Sequence, residues 1–83
     1  MPKVGTRLEC VRAGVLIAEA GIEYLTFSAV AAVIGIQERG VRYHFPGGRE
    51  ALRAAVLEHA ARTRNPFILG QLAARRRDGG FVR

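Results

Sequence analysis

The chain has no tryptophan, a single cysteine and only three prolines among its 83 residues. A lone thiol, Cys10, has no intrachain disulfide partner, which excludes a disulfide-stapled secreted scaffold and makes a reducing cytoplasm the expected compartment. Long apolar runs are missing too. The longest, Ala29 to Ile36, has eight residues, far short of the roughly 20 that cross a bilayer, and no charged segment followed by an apolar export signal opens the chain. His44 and His59 lie fifteen residues apart and the chain has one cysteine, so no metal site is expected. No carboxylate pair shares a helix face with a plausible base, and the Gly47 and Gly48 pair lacks the lysine and spacing of a phosphate loop. Neither catalysis nor a cofactor is therefore expected, and a chain this short builds one modest core without an enclosed ligand cavity.

Acidic side chains are scarce as well. Thirteen Lys and Arg against seven Asp and Glu give a formal charge of +6, which implies attraction to a polyanion such as nucleic acid or an anionic membrane surface. The surplus is uneven: residues 1–61 carry seven basic and six acidic groups, whereas residues 62–83 carry six arginines and one aspartate. Its densest run, Arg75 to Arg77, reads as a solvated tail or as a set of non-specific phosphate contacts.

What the chain does have is helical pattern. From Thr26 to Phe45, TFSAVAAVIGIQERGVRYHF reads as two short helices hinged at a glycine. Thr26 offers a capping hydroxyl, and Phe27, Val30, Ala31 and Ile34 recur on one face. Gly35 can take the left-handed conformation that ends a helix. Ile36 fills the gap under the turn, Gln37 serves as a weak cap, and Glu38 to Phe45 form a second helix that Pro46 stops. Ala31 is small enough to let that helix approach. Gly40 costs it about 1 kcal/mol relative to alanine, explained either by close backbone approach to DNA or by simple tolerance.

A first helix is expected from about Thr6 to Ala20, with Cys10, Ala13, Leu16, Ile17 and Ala20 inward and Gly21 as its stop. Cys10 is then a small buried hydrophobe. Ile22, Tyr24 and Leu25 lay apolar groups on the core. Arg49 to Arg62 reads as a further helix, expected to be the longest, with Leu52, Ala55, Val56 and His59 on one face. Asn65 and Pro66 break the pattern before the apolar cluster Phe67, Ile68, Leu69 and Leu72. With no alternating strand and no repeat, the expected fold class is all-α: a three-to-four-helix bundle containing a homeodomain-like helix-turn-helix over residues 1–62. Residues 63–83 are expected to be a short basic extension, helical or disordered.

Several residues together carry a family pattern. Ala18, Glu19 and Gly21 close the first helix, Leu25 and Thr26 open the second, and Val30, Ala31, Gly35 and Ile36 make the turn. Tyr43, His44, Phe45 and Pro46 close the third, and Arg49, Glu50, Ala51, Leu52, Val56 and Leu57 continue into the fourth. On these residues the stretch from about Val11 to His59 resembles the DNA-binding domain of the tetracycline-repressor (TetR) family of bacterial transcription regulators. The chain departs from that family at Gln37, where a small hydroxyl residue is usual, and at Gly48, often a phosphate-contacting lysine whose contact passes to Arg49. It departs also at Arg42, often an aromatic, so that Arg42 or Tyr43 supplies that phosphate contact. The family's long inducer-binding C-terminal domain has no counterpart here, and no small-molecule inducer is expected.

A short helix enters the roughly 12 Å major groove with its first turns facing base edges. Gln37, Glu38, Arg39 and Arg42 are the candidates there: Gln suits adenine, Arg suits guanine, and Glu accepts from the amino group of cytosine. Arg39 leads. Thr26, Gly40, Tyr43, His44, Gly48 and Arg49 would approach or hold phosphates, which set register, while Lys3 and Arg7 would follow the backbone or enter the minor groove. Of the neighbours Tyr43 and Phe45, the latter is expected to be buried. The expected function is a sequence-specific DNA-binding transcriptional regulator, a repressor at a promoter. Its partners would be double-stranded DNA and a second copy, paired through Phe67, Ile68, Leu69 and Leu72 on a pseudo-palindromic site. The alternative is a helix-turn-helix scaffold serving as a protein-interaction adaptor for another regulator or for polymerase.

Overall fold

Local side-chain chemistry starts the first helix. Thr6 stands ahead of it in extended conformation and its Oγ1 accepts from Glu9 N at 3.2 Å, while the Glu9 carboxylate reaches back to Gly5 N at 2.6 Å. Two N–H groups that the helix cannot pair are thereby satisfied. The structure, a computed structural model, describes the backbone of residues 5–81 and the side chains of residues 5–75. Over that span the chain is all-helical: α1 Arg7–Ala20, a single 3-10 turn Ile22–Tyr24, α2 Phe27–Ile34, α3 Glu38–His44, α4 Arg49–Arg62 and α5 Pro66–Phe81. Among the described residues no helix is long and apolar enough to cross a membrane.

The core sits where α1 crosses α2 and α4. Buried on α1 are Cys10, Val11, Ala13, Gly14, Val15 and Ala18, whereas Leu16 is 64% exposed and Ala20 is also exposed. The expected inward stripe through Leu16 and Ala20 is therefore corrected. Its replacement, Val11, Gly14, Val15 and Ala18, has helical spacing of its own and is selected by Gly14. A Cβ there would stand 2.6 Å from Val56 Cγ2 and 3.2 Å from Leu25 Cδ1, so this bare position is what lets α4 come close. Leu16, two residues on, faces away. Val30, Val41, Leu52 and Val56 are fully buried, and Phe45 is buried as expected.

Cys10 is fully buried. Desolvation, reinforced by the neighbouring Glu9 carboxylate, holds its thiol above the ordinary value. The unfolded thiol ionises near pH ~8.5, and the folded one only higher. Stability contributed by this group is complete below the unfolded value and is lost as pH rises toward the folded one, because the unfolded chain releases its proton first. Urea melts at rising alkaline pH are expected to show wild type losing stability more steeply than Cys10→Ala. Parallel pH profiles would contradict the burial.

The last helix is where expectation and structure part most. Asn65, which reads as a breaker, is a cap: its Oδ1 accepts from Phe67 N at 3.0 Å and Ile68 N at 3.1 Å, and its Nδ2 donates to Glu19 Oε2 at 2.7 Å. Arg64 makes the reversal before it with a left-handed φ of 53°. Gln71 then clips α5 to the end of α1, its Oε1 accepting from Ile22 N at 2.8 Å and its Nε2 donating to Ala18 O at 2.6 Å. Ala18 O already accepts from Gly21 N at 3.1 Å, so Gln71 adds a second bond to it at the end of α1. Ile68 is fully buried and Leu72 packs against the core. The described residues thus hold five α-helices rather than three or four, and α5, at 16 residues, is longer than the 14-residue α4.

Candidate nucleic-acid interface

Thr26 starts α2 by accepting from Ala29 N at 3.0 Å; its hydroxyl proton stays available to donate. Phe27, Val30 and Ala31 turn inward. Gly35 ends the helix at φ 86°, and its N–H and that of Ile36 both donate to Ala31 O, at 2.8 and 3.1 Å. Nothing lies within 4 Å of a Cβ built on Gly35, so the backbone angle alone, not crowding, demands glycine. Gln37 occupies the cap position of α3, but its side chain makes no capping bond, which corrects the expectation of a weak cap. Its side chain is longer than the Ser, Thr, Asp and Asn that reach a first-turn N–H, and Gly40 N closes the turn on Gln37 O at 2.9 Å instead.

Only Val41 of α3 is buried. That helix packs on α2 and α1, while α5 packs on α1 and α4. Gln37, Arg39, Arg42 and Tyr43 are all exposed, Tyr43 at 82%. The half-buried Gly40 has a plain intramolecular reason, since a Cβ on it would meet Ile36 Cδ1 at 3.3 Å.

The charged groups differ sharply in their engagement. Among the described residues Arg39 forms no ion pair. Arg42 lies over the Phe27 ring, its Cζ 4.7 Å from the centroid, and directs Nε at 3.0 Å and Nη2 at 2.5 Å to Glu38 Oε2. That leaves Arg42 Nη1 and Glu38 Oε1 outside the pair. His44 Nε2 donates to Gly5 O at 2.6 Å and its ring meets that of Tyr43 edge-on. Arg7 lies over the Phe45 ring at 5.0 Å. His44 and Arg7 thus fasten the start of α1 to the end of α3. Gly48 caps α4 at φ 86°, again an angle that favours glycine, and Arg49 donates to Leu25 O at 3.1 Å and Glu23 O at 3.3 Å.

These contacts form a continuous run. Arg49 ties the start of α4 to Leu25, next to the Thr26 cap, and Phe27 one residue on carries Arg42 and with it Glu38. The ion-pair spacing of Glu38 and Arg42 is visible in sequence, but the Phe27 platform beneath them is not, since an aromatic eleven positions from Glu38 carries no local signal. Lys3 and the side chains of Arg76 and Arg77 lie outside the described residues.

The proposed pairing surface is divided. Phe67 is 64% and Leu69 37% exposed, but Ile68 is buried and Leu72 packs against the core. Ile68 is therefore withdrawn from any contact between chains, because one turn of α5 directs neighbouring residues to opposite sides. Among the described residues no group of three or more His, Cys, Asp or Glu is placed to hold a metal ion. Neither protein-family models, nor curated proteins, nor solved structures give a match to this chain.

Proposed function

We propose that the chain is a sequence-specific DNA-binding transcriptional regulator of the TetR type, a cytoplasmic repressor acting at a promoter. In this reading α2, the Gly35 turn and α3 are its helix-turn-helix and α3 is the reading helix. The observation that carries it is the exposure of Arg39, Arg42 and Tyr43, with Gln37 at the cap, on a helix that buries only Val41. Arg39, on the first turn and without an ion pair among the described residues, reads guanine; the Thr26 hydroxyl and the Tyr43 phenol donate to phosphates. Arg49 and His44, occupied with backbone carbonyls, support the frame that presents α3. A second copy on a pseudo-palindromic site supplies the affinity that one module lacks, with Phe67 and Leu69 as the α5 residues left to pair chains.

Selection of random duplexes on the purified protein, followed by sequencing, tests this directly. Enrichment of one sequence is expected, with binding whose log–log salt slope is several units. On the selected duplex Arg39→Ala is expected to weaken binding by about tenfold to a hundredfold and to relax preference at one base pair. An unselected pool that never enriches would end the proposal. The adaptor reading draws on a groove between α1 and α2 where Leu16 and Val33 are 64% and 55% exposed; capture of a protein partner with no enriched duplex would favour it.

A further inference from the structure

We propose that Glu38 and Arg42 act as one two-headed reader in which Glu38 decides sequence choice and suppresses binding to the wrong duplex. This rests on α3 being the reading helix. Three observations lead to it. Arg42 is pinned on two sides, by the Phe27 ring at 4.7 Å and by Glu38 Oε2 through Nε and Nη2. The platform is itself part of the core, with Phe27 only 6% exposed. And the two charged side chains remain 58% and 41% exposed, an exposure at which an ion pair contributes little to fold stability.

The pair's contribution to the fold is therefore small, and its exposed outer atoms are open to a ligand. A guanidinium placed over a buried ring and bonded to a carboxylate has fewer rotamers open to it before binding, so its outer edge meets an acceptor at reduced entropic cost. That edge, with Nη1 and the second Nη2 hydrogen, has the two-donor shape that matches O6 and N7 of guanine. Glu38 Oε1 is an unpaired carboxylate oxygen alongside it, and the major-groove donor that suits it is the cytosine amino group. A duplex displaying that amino group beside guanine satisfies both heads. A duplex that places phosphate or a base acceptor there instead meets the carboxylate with like charge or an unmatched lone pair, which opposes contact. Glu38 also cancels the charge with which Arg42 would otherwise attract phosphate indiscriminately.

The experiment compares wild type, Glu38→Gln and Arg42→Gln on the selected duplex and on a scrambled duplex of equal length, across a salt series. Glu38→Gln is expected to bind the scrambled duplex about tenfold more tightly, with a salt slope steeper by about one unit, and to lose its preference at one cytosine. Arg42→Gln is expected to weaken the selected duplex about tenfold while changing the scrambled one much less. If Glu38→Gln leaves scrambled binding and base preference unchanged, or weakens every duplex alike, Glu38 is only a helix-stabilising residue and this inference fails while the DNA-binding reading stands. A wild-type protein that binds no duplex would remove both.

Discussion

Gly14→Val is expected to lower the unfolding free energy by about 3 kcal/mol, seen as an earlier midpoint in urea denaturation followed by circular dichroism. Where Gly14 faces α4, a Cβ alone would stand 2.6 Å from Val56 Cγ2, and valine adds two further methyl groups. Val56 is fully buried and β-branched, so its χ1 has little room to move aside. Leu25 Cδ1, at 3.2 Å, blocks the other direction. Relief must come from α1 and α4 moving apart, which opens the core on both sides of the crossing. Helix propensity argues the opposite way, since replacing a helical glycine gains about 1 kcal/mol or less, and the comparison of magnitudes favours the clash. Pairing the substitution with Val56→Ala should recover part of the loss as a coupling energy between the two sites. A Gly14→Val protein with the wild-type midpoint would show that the helices do not approach as described.

Ile68→Ala is expected to cost about 3 kcal/mol, and that loss should not depend on protein concentration. Ile68 is fully buried within its own chain, held there by the Asn65 cap and by Gln71, which bonds to Ile22 N and Ala18 O. Truncating it removes apolar contacts from a site whose polar clips keep the backbone from collapsing onto the void. Had Ile68 instead joined two chains, the substitution would act through association, and its effect would grow on dilution. Melts at two widely separated concentrations distinguish the cases. A loss that appears only in dilute samples would return Ile68 to the pairing surface and α5 to the status of an extension.

Much of the local architecture was legible before any coordinates. Thr6 and Thr26 announce helix starts by their hydroxyls, Gly35 announces a stop, and Arg49–Arg62 coincides with α4. These signals are short-range: a cap acts over three residues and a left-handed glycine over one. Asn65 defeated the same logic because asparagine before proline fits both a broken helix and a started one. Only the partners of its side chain, Glu19 and the first N–H groups of α5, distinguish the two. In the candidate interface, Gln37 at the cap of α3 and Arg39 and Tyr43 on it are exposed. Arg42, His44 and Arg49 read as similar cations or donors in the sequence, yet each has a distinct intramolecular partner from a distant segment.

The division follows the range of the forces involved. Sequence alone determined the all-helical class, the bounds of α1 to α4 to within a residue, the Gly35 bend and the uneven distribution of charge, because hydrogen-bond capping, backbone sterics and periodicity act between neighbours along the chain. Tertiary structure alone decided which face of α1 is buried, that α5 docks on the core, and which cations of the candidate interface stay unpaired. Those outcomes turn on close approach between residues dozens of positions apart, such as Gly14 with Val56 and Gln71 with Ala18, where shape complementarity rather than local propensity selects the arrangement.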